Sequence, residues 1–443
     1  MSFIEKSSCP CGRSEAALFD VPPTQVDLME SFFQPFNPVN SLSTGGSIEF
    51  TVPGSGELYI DPCMTHLYVK AQILKGGKPL VAADAVAPVN NLLHSLFGQV
   101  EISLNGTNVN SASNIYPYRA YIETLLGYSA ETKKNLLHSV LWHKDTPGKL
   151  DDPKSDAAKK RREMANPGKS FEMMGKLHAD FFNSDRLLLN SVEMKVKLSK
   201  NKDAFCLLSD LIPATGNTPA QQPNYTIQIE ECTLFVRRVK VSDMTGLSHA
   251  KELEKRNAVY PLNRVLTRAF TIPKGINTYT LDNIFQGQLP TRIVLGLVRD
   301  DAYNGDFTKN PYNFQHFDLN HLCVFVNGKS VPLKPLTPDF QNSMYLREYH
   351  SLFSSLGIHF GNASFDLSYK DYASGSCLYA FDLTPDLCAS ETSHSSLITH
   401  GELRIEMKFR VGLPTPVCCI IYGEFKNMFT IARDRKVTTD FGQ

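Results

Sequence analysis

The side chains of this chain that could do chemistry are few and lie far apart. Twelve His are dispersed, with no HExxH and no His-x-His pair, so nothing puts two imidazoles on one face for a metal. His316 and His321 are five apart around Asp318, a spacing that a strand-to-loop transition accounts for better than a metal site. Asp300-Asp301 and Asp151-Asp152 are paired carboxylates, but Asn, Gly or Pro stand beside both, and turn chemistry explains them. Cys9-Pro10-Cys11 is a tight thiol pair, and no second pair follows at zinc spacing. Cys232, Cys323, Cys418 and Cys419 sit inside apolar runs and read as buried free thiols in a reducing compartment. There is no GxSxG, no Walker A and no GxGxxG after a strand. Arg237-Arg238 could touch nucleic acid or a neighbouring subunit, though a solvated strand end is the simpler reading. No catalytic, cofactor-binding or metal residue is assigned, and no enzyme activity or cofactor is expected.

The remaining basic cluster, Lys159-Lys160-Arg161-Arg162, lies within residues 144–170, which hold eight basic and five acidic residues and no aromatic. That composition reads as a solvated, flexible insertion loop. The sharper reading, a localisation or phosphate-binding cluster, is weakened by the flanking acids.

Forty-five Lys plus Arg balance forty-five Asp plus Glu. Zero formal charge argues against a polybasic nucleic-acid binder, whose affinity rests on neutralising phosphates. At 443 residues, 42% hydrophobic and 20% charged, the chain can bury a core, and two domains of roughly 220 residues each are expected. No window of eighteen apolar residues predicts a membrane helix. The opening MSFIEKSSCPCGRSEAALFD is charged where a secretion signal needs an apolar run, so the sequons at Asn105, Asn224 and Asn362 are expected to stay unglycosylated.

The elements that position these residues are short alternating or apolar runs broken by Gly, Pro, Asn and Asp. Strands are predicted at Ser47–Val52, Leu67–Leu74, Val100–Leu104, Val192–Leu198, Tyr225–Val241, Arg292–Val298, Leu322–Val326, Glu402–Val411 and Val417–Phe425. Asn105-Gly106 is a strong hairpin signal, because both residues tolerate positive φ. Helices are predicted at Pro117–Leu126, Ser129–Trp142, Ser248–Asn257 and Met344–Leu356. The pattern predicts an all-β protein of sandwiches with short helices in the loops.

Four blocks recur in order. Phe50–Pro53 matches Phe270–Pro273 (270 − 50 = 220), and Val100–Val109 matches Leu322–Val331 (322 − 100 = 222). Arg119-Ala120-Tyr121 matches Arg347-Glu348-Tyr349 (347 − 119 = 228), and Val192–Leu198 matches Ile405–Val411 (405 − 192 = 213). Loops absorb such drift where strands do not. The chain therefore reads as two copies of one jelly roll, each closing two four-stranded sheets. The division expected is an N-terminal arm (1–30), a first jelly roll (31–245, carrying the 144–170 insertion), a linker helix region (246–262), a second jelly roll (263–432) and a C-terminal tail (433–443).

Four segments carry a resemblance: SFFQPFNPVN (31–40), SLFGQVEISLNG (95–106), YPYRAYIETLLGYS (116–129) and TIPKGINTYTLDNIFQGQLPTRIVLGLV (271–298). There the sequence resembles the double jelly-roll major capsid proteins of the Polinton/Maverick and adintovirus group, more distantly related to adenovirus hexon and tectivirus capsid proteins. The resemblance covers roughly residues 30–435. It implies a homotrimer of pseudo-hexagonal outline, with two tandem eight-stranded jelly rolls per subunit, tiling an icosahedral shell around double-stranded DNA. It also implies neighbouring trimers, a minor single jelly-roll penton protein and cement proteins as partners, and the virion as location. The 144–170 insertion would then be an outward loop, and the arm and tail candidates for the inner face or neighbour contacts. Two rivals stand beside it. A tandem sandwich binding carbohydrate or protein would usually carry an aromatic platform or acidic calcium loops, and there is one Trp and no Asp-rich loop. A sandwich enzyme is disfavoured by the missing constellation.

Overall fold

The computed structural model describes residues 18–19, 21, 24–42, 46–81, 84–110, 115–212, 221–358, 364–390, 394 and 396–441. Cys9, Cys11, Asn362 and most of the expected 1–30 arm lie outside the described residues.

Two sandwiches follow one another. In the first, one sheet runs β1 (Leu28–Phe36), β11 (Tyr225–Val241), β3 (Leu58–Lys75) and the short β4 (Lys78–Pro79), with β8 (Phe171–Gly175) also on β3. Its partner sheet runs β2 (Ile48–Val52), β9 (Met194–Lys200), β6 (Phe97–Leu104) and β7 (Thr107–Asn108). A two-stranded ribbon, β5 (Val86–Pro88) with β10 (Leu207–Ser209), stands beside them. In the second sandwich the order is β12 (Ala258–Ile272), β19 (Val417–Ile431), β14 (Arg292–Arg299) and β17 (Leu378–Asp382), with β20 (Val437–Asp440) on β19. The facing sheet is β13 (Thr278–Leu281), β18 (Leu403–Phe409), β15 (Leu319–Val326) and β16 (Lys329–Leu336). All pairings between these strands are antiparallel. The matched strand orders make this a double jelly roll.

Alternation explains the cores. β2 buries Ile48, Phe50 and Val52, and β9 buries Met194, Val196 and Leu198, while their Lys and Glu neighbours face out. β14 and β17 instead bury both faces: Ile293–Val298 and Leu378–Asp382 are buried throughout. Helix α8 (Leu346–Ser355) covers β17, with Ser355 Oγ donating to the Ala380 carbonyl at 3.0 Å. Gly296 on β14 is required there, because a Cβ would stand 2.4 Å from Phe314 and 2.6 Å from Leu378.

The duplication is tightest at the hairpins after β6 and β15. Asn105 and Gly106 have φ of 46° and 81°, and Asn327 and Gly328 have 50° and 79°. Asn105 Oδ1 accepts from the Glu193 backbone N–H at 2.8 Å, and Asn327 Oδ1 from Glu402 N–H at 2.9 Å. These bonds pair Glu193 with Glu402 (402 − 193 = 209), so the sequence match of Val192 with Ile405 is slipped by four residues (213 − 209 = 4). Strands of alternating Lys and apolar residues fit themselves at several even shifts, which is why sequence chose a wrong one. The Phe50/Phe270 block is also displaced. Phe50 lies on β2, whereas Phe270 lies on β12, and the strand in the place of β2 is β13. Arg119 and Arg347 do fall on corresponding helices, α2 (Tyr116–Gly127) after β7 and α8 after β16.

Several elements differ from expectation. β3 spans 18 residues, beginning nine before the predicted Leu67, since Pro62 and a register shift against β11 break its alternation. The predicted helix Ser129–Trp142 is α3 (Ala130–Lys134), capped by Ser129 Oγ, followed by a 3₁₀ turn Leu136–Val140 that leaves Leu136 65% exposed. The linker helix is α6 (Asp243–Leu253), starting five residues earlier than predicted, where Ser242 Oγ accepts from Thr245 N–H. Within the expected C-terminal tail, residues 437–440 form β20 and pair with β19.

Candidate functional site

The insertion at 144–170 is folded, which corrects its reading as a solvated loop. Ser155 caps α4 (Asp156–Met164), and Leu150, Ala157, Ala158 and Arg161 are buried. Arg161 is wholly enclosed: it pairs with Asp145 at 2.8 Å and donates to the carbonyls of Pro88 (2.9 Å) and His143 (3.0 Å). Arg162 donates to the Val86 and Pro153 carbonyls. Half of the basic cluster is thus structural, and only Lys159 and Lys160 remain exposed. The segment also clasps the second sandwich. Lys144 pairs with Asp366 and Asp371 at 2.8 Å each, and Asp151 accepts from Asn310 N–H (2.8 Å) and Asn313 Nδ2 (3.1 Å).

Helix α2 forms the centre of the seam between the sandwiches. Tyr121 stacks on Tyr312 with centroids 4.1 Å apart and planes 3° from parallel, and Tyr118 packs against Tyr303, Tyr312 and Phe314. Tyr312 OH meets Ser95 Oγ at 2.5 Å, on α1 (Leu92–Ser95). On another face of α2, Arg119 pairs with Glu123 (2.9 Å) and Asp180 (2.7 Å), and His178 Nδ1 lies 2.6 Å from Glu123 Oε2. The network crosses the seam twice. Tyr422 OH donates to Glu123 Oε1 at 3.3 Å, and Val265 N–H donates to Asp180 Oδ1 at 3.0 Å. Beyond Tyr422, Glu424 holds Arg292 at 2.7 Å. Burial works against the Glu123 charge, yet Arg119 and His178 outweigh it and hold the carboxyl down at about 2. Burial pushes the Lys133 ammonium down to about 8; its Nζ donates to the Leu125 carbonyl at 2.6 Å and lies over Trp142.

The other sequence candidates are not brought together. Asp301 pairs with Arg299 at 2.6 Å, and Asp300 accepts from Thr271 Oγ1 and Asn304 Nδ2 at the start of α7 (Asp300–Asn304). Asp152 Oδ1 accepts from the Lys154 backbone N–H, the turn chemistry expected. His316 stacks on Phe340 at 4.1 Å, and Asp318 beside it accepts from Gln341. Arg237 pairs with Asp61 (2.8 Å), and Arg238 is buried, donating to the Pro53 carbonyl (2.7 Å), which removes the solvated-strand-end reading for Arg238. Cys232, Cys323, Cys418 and Cys419 are free and buried, and burial raises their thiols above the ordinary value. Among the described residues no group of three or more His, Cys, Asp and Glu could hold a metal ion, and no helix is long and apolar enough to cross a membrane. What sequence missed is the Arg119–Glu123–His178–Tyr422 seam, whose members are 303 positions apart at the extreme (422 − 119 = 303).

The outer surface offers one further feature. β1 is an edge strand, and its Leu28, Met29, Phe32 and Phe33 are 39–68% exposed.

No protein-family model matches the chain. An uncharacterized protein of Caenorhabditis elegans is 25% identical over 427 residues, covering 93% of this chain and 97% of the relative. Among solved structures, a chain of the Sputnik virophage aligns with TM-score 0.65 and 11% identity over 100% of this chain and 94% of its own. The Faustovirus major capsid protein aligns with TM-score 0.58 and 9% identity, over 94% and 93% of the two chains. The mavirus major capsid protein aligns with TM-score 0.53 and 12% identity, over 99% and 97%. At these identities the likeness is one of fold, and it runs through both sandwiches from end to end. The chain is a double jelly roll, the fold on which the Faustovirus and mavirus major capsid proteins are built.

Proposed function

We propose that the chain is a structural major capsid protein, without enzyme activity, whose homotrimers of pseudo-hexagonal outline tile an icosahedral shell around double-stranded DNA. The observation that carries this reading is the end-to-end match of both jelly rolls with major capsid proteins of similar length. The molecule's own construction supports it. Its conspicuous polar network joins the two sandwiches to each other, which suits a rigid tile. The exposed apolar residues of edge strand β1 suit a neighbouring subunit, because an unpaired strand edge invites another chain. Neighbouring trimers and a single jelly-roll penton protein are the partners in this reading, and the virion is the location. We propose arm 1–30, jelly rolls 31–245 and 263–432, linker 246–262 and tail 433–443 as the units of the chain, with β1 starting in the arm, β12 in the linker, and β20 of the tail pairing with β19.

Light scattering of purified protein at micromolar concentration tests the proposal. A trimer mass is expected, and a monomer throughout would overturn it. Thermal shifts with glycans or divalent metals address the binding-module reading, and no stabilisation is expected.

A further inference from the structure

We propose that the seam between the jelly rolls is acid-sensitive, and that protonation of His94 loosens helix α2 from β19. The inference does not depend on the capsid reading, since every group involved belongs to one chain.

Tyr116 OH accepts the backbone N–H of His178 at 3.2 Å. Its own proton is then left for His94 Nδ1, 2.9 Å away. We assign that nitrogen as the acceptor and the imidazole as neutral, the tautomer in which Tyr116 accepts from His178 and gives its proton to His94. His94 is 2% exposed, and the His178 ring stands edge-on at 4.6 Å. Protonating Nδ1 would set two donors against each other, and it would bury a cation without a carboxylate of its own. The acid that acts on it, Glu123, is already held by Arg119, His178 and Tyr422.

The groups facing this pair can be named from each neighbouring element. From α2 come Tyr116, Arg119 and Glu123; from residues 178–180 come His178 and Asp180. From β19 come Tyr422 and Glu424, and from β14 Arg292 behind them. Cys206, at the end of α5 (Asp203–Cys206), gives its thiol to the Ser95 carbonyl, and Val140 and Gly175 bring no charge. A His94 cation would have to draw on Glu123 or displace Tyr116. Both residues belong to α2, and Glu123 is the group that Tyr422 holds across the seam.

Burial, and after it His178, keeps His94 well below its ordinary value of 6.5. The unfolded chain therefore takes up this proton before the folded one does. The stability that neutral His94 contributes is present above about pH 6.5 and is lost as the pH falls below it.

Denaturant unfolding of the full chain at pH 7.5 and 5.5 supplies one test. The wild type is expected to lose up to about tenfold in its folding equilibrium constant at the lower pH through His94. His94→Gln, which can still accept from Tyr116, is expected to lose less than half as much on a logarithmic scale. Equal losses in the two proteins would overturn the proposal. Hydrogen exchange on the wild type needs no variant. After correction for intrinsic rates, residues 116–127 and 417–424 are expected to lose protection severalfold at pH 5.5, while 100–109 and 322–331 keep theirs. Uniform protection at both pH values would contradict the inference.

Discussion

Enclosing a guanidinium costs several kcal/mol unless its donors are answered; Asp145 and two backbone carbonyls answer Arg161 at Nη1 and Nε, while its Nη2 is buried without a partner. Arg161→Ala would leave Asp145 without its partner in a buried place, so a loss of about 3–5 kcal/mol is expected in denaturant unfolding. Lys160→Ala, on the exposed side of the same helix, should change stability by less than about 0.5 kcal/mol. Sequence could not separate these neighbours, because four consecutive cations on a helix point in four directions and only packing tells which is inside. Lys133 makes the opposite case, a cation buried on one backbone acceptor. The unfolded chain holds this proton up to its ordinary value of 10.5, but the folded chain releases it at about 8. Stability should therefore rise between pH 8 and 10.5. Lys133→Met is expected to abolish that rise. Unfolding curves at pH 7, 8 and 10 check both statements.

At the scale of elements, the Asn-Gly hairpins were the most legible feature, since a two-residue turn of positive φ admits few residue types. The two hairpins hold the same bonds, Asn105 to Glu193 and Asn327 to Glu402. Asn327→Ala should therefore cost about 2 kcal/mol from lost αL tolerance and one lost hydrogen bond, and Asn105→Ala should cost more, because Asn105 Nδ2 also donates to the Arg435 carbonyl at 2.9 Å. The costs should add in the double variant, because the sites share no partner. Equal costs would mean that the Arg435 contact adds nothing to the first turn. The strands whose alternation is clean, β2, β9 and β18, were legible for the same local reason. β3 was only half legible, since Pro62 interrupts its pattern while its pairing with β11 continues. The 144–170 segment was illegible: its order comes from contacts with Pro88, Asn310 and Asp366, far away in sequence.

Over the whole molecule, the two sandwiches are joined by aromatic stacking and a charged network, so they should unfold together. Tyr312→Ala removes the 4.1 Å stack on Tyr121 and the Ser95 contact. A loss of about 3–5 kcal/mol is expected, with the single calorimetric transition expected of the wild type splitting into two. The double jelly roll itself was readable from the repeats, because duplication leaves its mark on local turns and strands. The seam was not, because its residues pair across the two copies and so obey no repeat. The capsid role is the claim that everything else serves, and negative-stain imaging of purified protein tests it most directly. Particles with three-fold symmetry and a six-cornered outline are the predicted result, and a field of single two-lobed monomers would contradict it.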